Sequence, residues 1–482
     1  MAALAALFFF KAAALALFVT PLWDIPDEVG HLALIRDIAD GRGLASPGNS
    51  VIPEDLARRW NPSRAQGGPV LNWTAQHPPL YHLLAVPFLA AGNLAISNVE
   101  MRDRVPRLLS AISGALALWV FFLLLRDASG DSLLSFAAAA SVAFLPMWTH
   151  LSSGINHDVL LALLIGVAAL FFVRLAGSGD FRDALSMGAA LSLAGVTKLS
   201  ALAVALPLVL FAGRHLASGG RRRALQWSAT AAVSIALPAL WALRHRLLGL
   251  TAPLHATSGE PFSFAGLLDY LSSYPVLDHT FKNFVGLIGW TGTGGGEVRW
   301  FQISGPFLAP YLLLGLLLPL GAMAYLARQA PRSRLLVAGP LGATAAALSL
   351  ALLQPHVTGG GLAKGLVYAA LVAAPFFALP WMVRPRGRED PLVAESLGVL
   401  LFFSAAYLVN SWQAYRITGE MRATHGRYFF AVVALLLLGL FLPAFRAASA
   451  RLPRRVLLAV PFVLALDEVA FFVARVLPFY RR

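Results

Sequence analysis

Cysteine is absent from the 482 residues, which excludes disulfides, thiolate metal sites and cysteine nucleophiles. Charge is scarce too: 13% of the residues are Asp, Glu, Lys or Arg, and the 24 acids are outnumbered by 38 bases. A chain so poor in charge, 58% hydrophobic and with a mean hydropathy of +0.69, is not an ordinary soluble domain; it is a polytopic membrane protein. The net charge of +14 does not mark a nucleic-acid partner, because the arginines sit in short clusters between apolar runs. A basic segment ahead of the first apolar run and a small-residue cleavage site before Pro21 are both missing. That run therefore reads as a retained span, with Lys11 snorkelling or facing the bundle interior. No repeat of fixed period and no appended soluble domain is visible. The glycine run Thr291–Gly296 does not open a helix after a strand and lacks the Lys-Ser/Thr of a phosphate loop, so a nucleotide is excluded.

What is present is a series of apolar runs, each of which must cover roughly 30 Å of hydrocarbon. They predict an all-α polytopic integral membrane protein of 13 transmembrane helices, forming a single domain over residues 1–482. The spans are Ala2–Trp23, Pro106–Leu125, Leu133–Thr149, Val159–Leu175, Ala184–Val196, Leu199–Ala212, Ala224–Leu243, Gly305–Ala327, Leu335–Leu353, Gly365–Val383, Leu392–Ser411, Tyr428–Phe445 and Val456–Leu477. The two that flank Lys198 are short and abut, which predicts a tight helical hairpin. With the N-terminus cytoplasmic, every short cytoplasmic loop is basic, as the positive-inside rule requires. Asp467-Glu468 inside the last run points to a re-entrant or tilted segment. Two large loops, 24–105 and 244–304, then lie on the extracytoplasmic side. The first predicts amphipathic interfacial helices over Val29–Ile38 and Pro79–Phe88, which hold it at the lipid headgroups.

The polar residues gather on that same side. Asp24-Ile25-Pro26-Asp27-Glu28-Val29-Gly30-His31 packs three carboxylates and an imidazole directly after the first span. If the chain is helical after Pro26, Asp27 and His31 are i,i+4 neighbours, suited to a base with its orienting partner or to a divalent cation, Mn²⁺ or Mg²⁺. The alternative is a solvated helix N-terminus, for which Asp24 and Asp27 are equally suitable. His77 and Tyr81 end the polar part of the first loop. Asn156, His157 and Asp158 lie between the third and fourth spans, where a helix N-cap is the competing use. Lys198 sits at the hairpin turn, where a lone lysine also anchors to headgroups. His425, Arg427 and Tyr428 precede the twelfth span, with Arg422 nearby; arginine on this side runs against the charge rule, and a bound phosphate would explain it. Carboxylates and cations on one face, beside interfacial helices, suit a substrate with a membrane-embedded tail and an anionic head. The chemistry that fits is glycosyl transfer from a polyprenyl phosphate, with a carboxylate deprotonating the acceptor and Lys or Arg stabilising the departing phosphate.

The order of these motifs resembles the GT-C membrane glycosyltransferases, which include protein O-mannosyltransferases and the aminoarabinose transferase of lipid A. Pro26–His31, Phe284–Trp290 and Gly426–Phe429 look closest to a bacterial branch of that superfamily. The resemblance implies a plasma-membrane enzyme with its site on the extracytoplasmic face, a polyprenyl-phosphate sugar donor, membrane lipids as surroundings and inversion at the anomeric carbon. It places the catalytic role on Asp27 or Glu28. Asp24, His31, His77, Tyr81, Asn156, His157, Asp158, Lys198, Trp290, Arg422, His425, Arg427 and Tyr428 are the substrate-binding candidates, and Asp27 with His31 the metal candidates. The rival expectation is a lipid or polysaccharide transporter or a non-catalytic lipid-binding subunit; a transporter would favour internal repeats and polar residues at mid-membrane depth.

Overall fold

The computed structural model describes residues 1–217, 219–250, 263–289, 300–329, 389–419, 424–449 and 453–481. Nearly all of it is helix. In chain order the main helices are α1 (Ala2–Val19), α2 (Glu28–Ala39), α3 (Leu80–Ala95), α4 (Val99–Ser129), α5 (Ser132–Ala143), α6 (Pro146–Ser152) and α7 (His157–Ser178). They continue with α8 (Phe181–Gly195), α9 (Leu199–His215), α10 (Gly220–Leu247), α11 (Phe264–Ser273), α12 (Val276–Val285), α13 (Ala309–Gln329), α14 (Glu389–Thr418), α15 (Gly426–Ser449) and α16 (Arg455–Tyr480). The sheet content of the described residues is one antiparallel pair, Leu287–Ile288 against Phe301–Gln302.

Eight of the described helices are long and apolar enough to cross a membrane, and α5 with α6, bent by 68° at the Phe144-Leu145 break, makes a ninth. The shorter α8 and α9 form the expected hairpin around Lys198. The expected spans Leu335–Leu353 and Gly365–Val383 lie outside the described residues. The bend between α5 and α6 follows from Pro146, which sits in the first turn of α6 and pushes the preceding residue out of helical geometry.

Small residues allow the spans to approach closely, since apolar lipid provides no hydrophobic drive between helices. Ala137 to Ala139 of α5 are buried in the central cluster with α4 and α7. Gly154, in the turn between α6 and α7, lies against Ile25, and a Cβ there would stand 2.0 Å from the Ile25 side chain. The 24–28 turn is thereby seated directly on the bundle. Lys11, awkward as an isolated charge in a span, faces inward and pairs with Glu468 at 2.7 Å, donating also to the Ala143 carbonyl. The acid in the last run is thus the partner of the lysine in the first, and α16 is a continuous span-length helix.

The first loop is layered onto the bundle. α2 buries Glu28 through Ile35, and α3 opens after the Pro78-Pro79 pair, close to the two interfacial helices expected. Asn72 donates to the Gly30 carbonyl, and Arg36 and Arg59 both pair with the buried Asp103. The Leu80 N–H donates to the Val196 carbonyl, tying the start of α3 to the turn that carries Lys198.

Candidate functional site

Two residues other than glycine among those described have a left-handed backbone, Trp23 (φ 73°) and Asp27 (φ 65°), and they bracket the acidic turn. Such conformations cost about 1–2 kcal/mol each and persist where the surroundings over-determine them. Here the surroundings are Glu28 and Arg107. Arg107 is fully buried at the start of the second span; it grips both Glu28 oxygens at 2.7 and 2.8 Å and donates to the carbonyls of Ala16, Thr20 and Pro21. Glu28 also accepts from the backbone N–H groups of Trp23 and Ile155. With four donors on its two oxygens and no exposure, Glu28 is a structural clamp; the expectation that it shares the base role with Asp27 is corrected on that ground.

Asp27 occupies the N-cap position of α2, yet its side chain makes no capping bond. Oδ1 instead accepts from the Trp73 indole at 2.8 Å and Oδ2 from Arg427, also at 2.8 Å and 400 residues along the chain. Burial pushes the Asp27 carboxyl up, but the Arg427 guanidinium outweighs this and holds it well below the usual carboxylate range.

Lys198 and Arg427 meet at Asp158. Lys198 Nζ is 2.6 Å from Oδ1, and Arg427 Nε is 4.0 Å from Oδ2. The Tyr428 ring lies beneath both cations, 4.7 Å from Lys198 and 5.5 Å from Arg427. His157 Nε2 stands 3.4 Å from the same Asp158 oxygen that Lys198 holds. Around this centre four imidazoles touch: His31 lies 4.7 Å from His157, 5.2 Å from His82 and 6.0 Å from His77 by ring centroid, and His77 is 4.6 Å from His157. Burial, then His82 and His77, hold His31 well below the ordinary imidazole range; burial and Lys198 bring His77 down to about 4; burial and His77 bring His82 down to about 3. Near neutral pH these rings are uncharged.

Other candidates have different employment. Asp24 is buried and accepts from Tyr480 of α16 at 2.6 Å, and burial raises its carboxyl to about 7. Tyr81 is fully buried; its hydroxyl meets Ser110 at 2.8 Å and accepts from the Asn156 N–H. Asn156 caps α7 through the Asp158 N–H, the competing use foreseen for it. Tyr81 and Asn156 are therefore supports, and their expected contact with substrate is corrected by this burial and bonding. His425 packs its ring 5.8 Å from Tyr428. Trp290 and Arg422 lie outside the described residues. Among the described residues no group of three or more His, Asp or Glu side chains is disposed to hold a metal ion. Asp27 gives both carboxylate oxygens to Trp73 and Arg427, and His31 Nδ1 meets His82 Nε2 at 3.0 Å. Arg107 and Trp73 belong to the site without belonging to any polar motif of the sequence, whereas His82 closes the stretch Gln76–His82. Arg107 left one signal, a cation at the very start of an apolar span.

Residues 76–244 match the family model described as dolichyl-phosphate-mannose-protein mannosyltransferase. The matched stretch carries His77, His82, Asp158 and Lys198, and it bears out the GT-C resemblance read from the motifs. No curated protein matches the chain in sequence. Among solved structures the chain is similar to the protein O-mannosyltransferase Pmt1-Pmt2 complex of S. cerevisiae bound to the sugar donor, at 17% identity over 52% of this chain and 34% of that one, with a TM-score of 0.36. It is similar to ArnT from Cupriavidus metallidurans bound to undecaprenyl phosphate, at 17% identity over 93% and 78% of the two chains, TM-score 0.38. An Archaeoglobus fulgidus oligosaccharyltransferase gives 15% identity over 97% and 54%, TM-score 0.41. The chain thus spans about a third of the length of the yeast protein and about half that of the archaeal one.

Proposed function

We propose that the protein is an integral-membrane glycosyltransferase that moves a sugar from a polyprenyl-phosphate-linked donor to a hydroxyl-bearing acceptor, with its site at the extracytoplasmic end of a plasma-membrane bundle. The observation that carries this reading is the behaviour of Asp27: an acid at an N-cap position that does not cap and faces Arg427 instead. Arg427 offers a planar fork to phosphate oxygens and Lys198 a point charge, and the two flank one acidic centre. Their charge opposes the negative charge that builds on a departing polyprenyl phosphate. The family match over residues 76–244 is to proteins described as using such a donor. An acceptor hydroxyl placed at Asp27 would attack the anomeric carbon from the face opposite the phosphate, giving inversion in one displacement. The acceptor class is a lipid, a polysaccharide or a protein.

An apolar cavity of about 330 Å³, lined by Val142, Phe281, Leu318 and Leu437 among others, reaches Phe429, two residues from Arg427. It is of the right character for the first units of a prenyl chain.

The experiment is to incubate the purified full-length protein with a panel of polyprenyl-phosphate sugars and follow release of polyprenyl phosphate. Asp27→Asn is expected to lower turnover by about a hundredfold or more while the protein stays folded. Glu28→Gln is expected to lower the unfolding temperature, because it weakens the Arg107 clamp. Donor that binds without releasing polyprenyl phosphate, in the presence of acceptor-rich membrane extract, would favour a carrier over an enzyme.

A further inference from the structure

Trp73 is fixed by its backbone, its indole N–H and its ring, and still stays open. Val51 and Leu71 form an antiparallel bridge. Bonds from the Ile52 N–H to the Val70 carbonyl and from the Asn72 N–H to the Ser50 carbonyl, both 2.8 Å, extend it into a short ribbon. The ribbon ends on Asn72, whose amide donates to the Gly30 carbonyl at 3.0 Å and whose oxygen accepts from the Thr74 N–H and hydroxyl. Gly30 permits this approach, since a Cβ there would stand 2.8 Å from the Asn72 oxygen and from the Thr74 side chain. The indole that follows donates its N–H to Asp27 Oδ1 at 2.8 Å and packs on Trp60 at 5.3 Å by ring centroid. A ring so fixed would suit a core, yet Trp73 is 38% exposed, and Val51 and Leu71 of the same ribbon are exposed too.

The surroundings of this ledge belong to water. The short helix Glu54–Trp60, which supplies Trp60, carries Glu54, Asp55 and Arg58 with side chains 59–72% exposed. Gly48, Asn49 and Gln66 to Pro69 are exposed around the ribbon as well. Charges are costly in hydrocarbon, so lipid tails do not cover this side. A partner arriving here must offer an apolar face to the indole and a hydroxyl to Asp27 at once. A sugar ring offers both. Its C–H bonds, polarised by the neighbouring oxygens, meet the electron-rich face of an aromatic ring, while its hydroxyls project from the rim. Trp73 takes one lone-pair direction of Asp27 Oδ1, and a carboxylate oxygen accepts more than one hydrogen bond. A sugar stacked over the indole therefore brings a rim hydroxyl to the same carboxylate. A serine or threonine side chain has the hydroxyl without the face, and an acyl chain the apolar surface without the hydroxyl. Resting on the transferase reading above, we infer that the acceptor is a carbohydrate and that Trp73 is the platform on which the accepting sugar lies. The step balances: the sugar O–H bond breaks and its proton passes to Asp27. The freed oxygen bonds to the anomeric carbon of the donor, and the electron pair of the broken carbon–oxygen bond leaves with the polyprenyl phosphate. The product is a new glycosidic bond between two sugars.

The test separates binding from turnover on the full-length protein in nanodiscs. Saturation-transfer NMR with oligosaccharides of glucose, mannose, galactose and N-acetylglucosamine reads acceptor binding alone, through the C–H protons that touch the protein. In the wild type the signal is expected on the C–H protons of one face of one sugar unit; an even spread over the oligosaccharide would count against stacking. Trp73→Phe keeps an aromatic face and loses the N–H, whereas Trp73→Leu keeps apolar bulk and loses the face. The bound oligosaccharide is expected to hold to Trp73→Phe within about threefold of wild type and to Trp73→Leu about tenfold more weakly, the size of a lost aromatic contact. In turnover, Trp73→Leu is expected to raise the acceptor KM by about tenfold with polyprenyl-phosphate binding within about twofold, a split that a merely structural role would not give. Equal binding by wild type and Trp73→Leu would overturn the inference, as would a panel in which no oligosaccharide binds. Transfer to a serine-containing peptide or to diacylglycerol vesicles in preference to every oligosaccharide would overturn it too, and would leave the transferase reading standing. If no polyprenyl-phosphate sugar is turned over, the transferase reading fails; the saturation pattern still decides whether Trp73 receives a sugar.

Discussion

Asp27 and Glu28 are adjacent acids with opposite uses, and the difference comes from a single backbone angle. The left-handed φ at Asp27 ends the turn and starts α2 at Glu28, so the two side chains leave the chain in different directions. Glu28 turns into the bundle to Arg107, and Asp27 turns out to Trp73 and Arg427. Asp24 is a third case. Burial lifts its carboxyl to about 7, above the ordinary value of about 3.9 that it has in the unfolded chain. Between those two values the folded state holds a proton that the unfolded chain has lost. Stability is therefore expected to fall as pH rises from about 4 to about 7 and to level off above, and Asp24→Asn should flatten that slope. Thermal unfolding of the two proteins across this range checks it; parallel slopes would show that Asp24 does not carry the effect. The cluster of acids was legible in the sequence because carboxylates are rare in such a chain. Their division of labour was not, since each partner lies far off: Arg107 is 79 residues from Glu28 and Arg427 400 from Asp27. The His82–His31 contact was equally hidden, because nothing in His77-Pro78-Pro79-Leu80-Tyr81-His82 shows that the last of these rings meets a residue 51 positions earlier.

At the scale of elements, the long spans among the described residues and the two helices of the first loop could be read from length and apolarity, because lipid demands both. What could not be read was the pairing of the first span with the last. α1 and α16 are joined by Lys11 to Glu468 within the apolar layer, and Tyr480 of α16 donates to Asp24 in the turn that follows α1. Thr149 adds its hydroxyl to Glu468, so the bent α5–α6 unit is tied in as well. A charge left alone in hydrocarbon is expensive, and breaking a buried pair commonly costs on the order of 3 kcal/mol or more, whereas replacing both partners by apolar groups is often close to neutral. Glu468→Gln is accordingly expected to destabilise the protein strongly, and Lys11→Met with Glu468→Met to recover most of the loss. Unfolding of Glu468→Gln and of the double variant in the same lipid measures this. A double variant as unstable as Glu468→Gln would mean that packing, not the stranded charge, sets the cost.

Taken whole, the molecule sets a charged centre at one end of a helix bundle above an apolar cavity within it, and the two meet at Arg427 to Phe429. A prenyl tail passing from lipid into that cavity exchanges one apolar surrounding for another, so the transfer itself contributes little affinity. On the proposed reading the cavity would contribute placement, holding the chain on one line so that the phosphate arrives between Lys198 and Arg427. Misplacement of a reacting centre by about 1 Å can cost about a hundredfold in rate even when binding is intact. Leu318→Trp narrows the cavity from α13, a helix that carries none of the charged residues of the site. It is expected to lower turnover of a long-chain donor by about tenfold in bilayers with little change in donor affinity, and to spare a short-chain, water-soluble donor. Parallel kinetics with the two donors decide the matter. Equal losses for both would place the tail elsewhere on the bundle, and an affinity change without a rate change would show that the cavity holds the donor without aligning it.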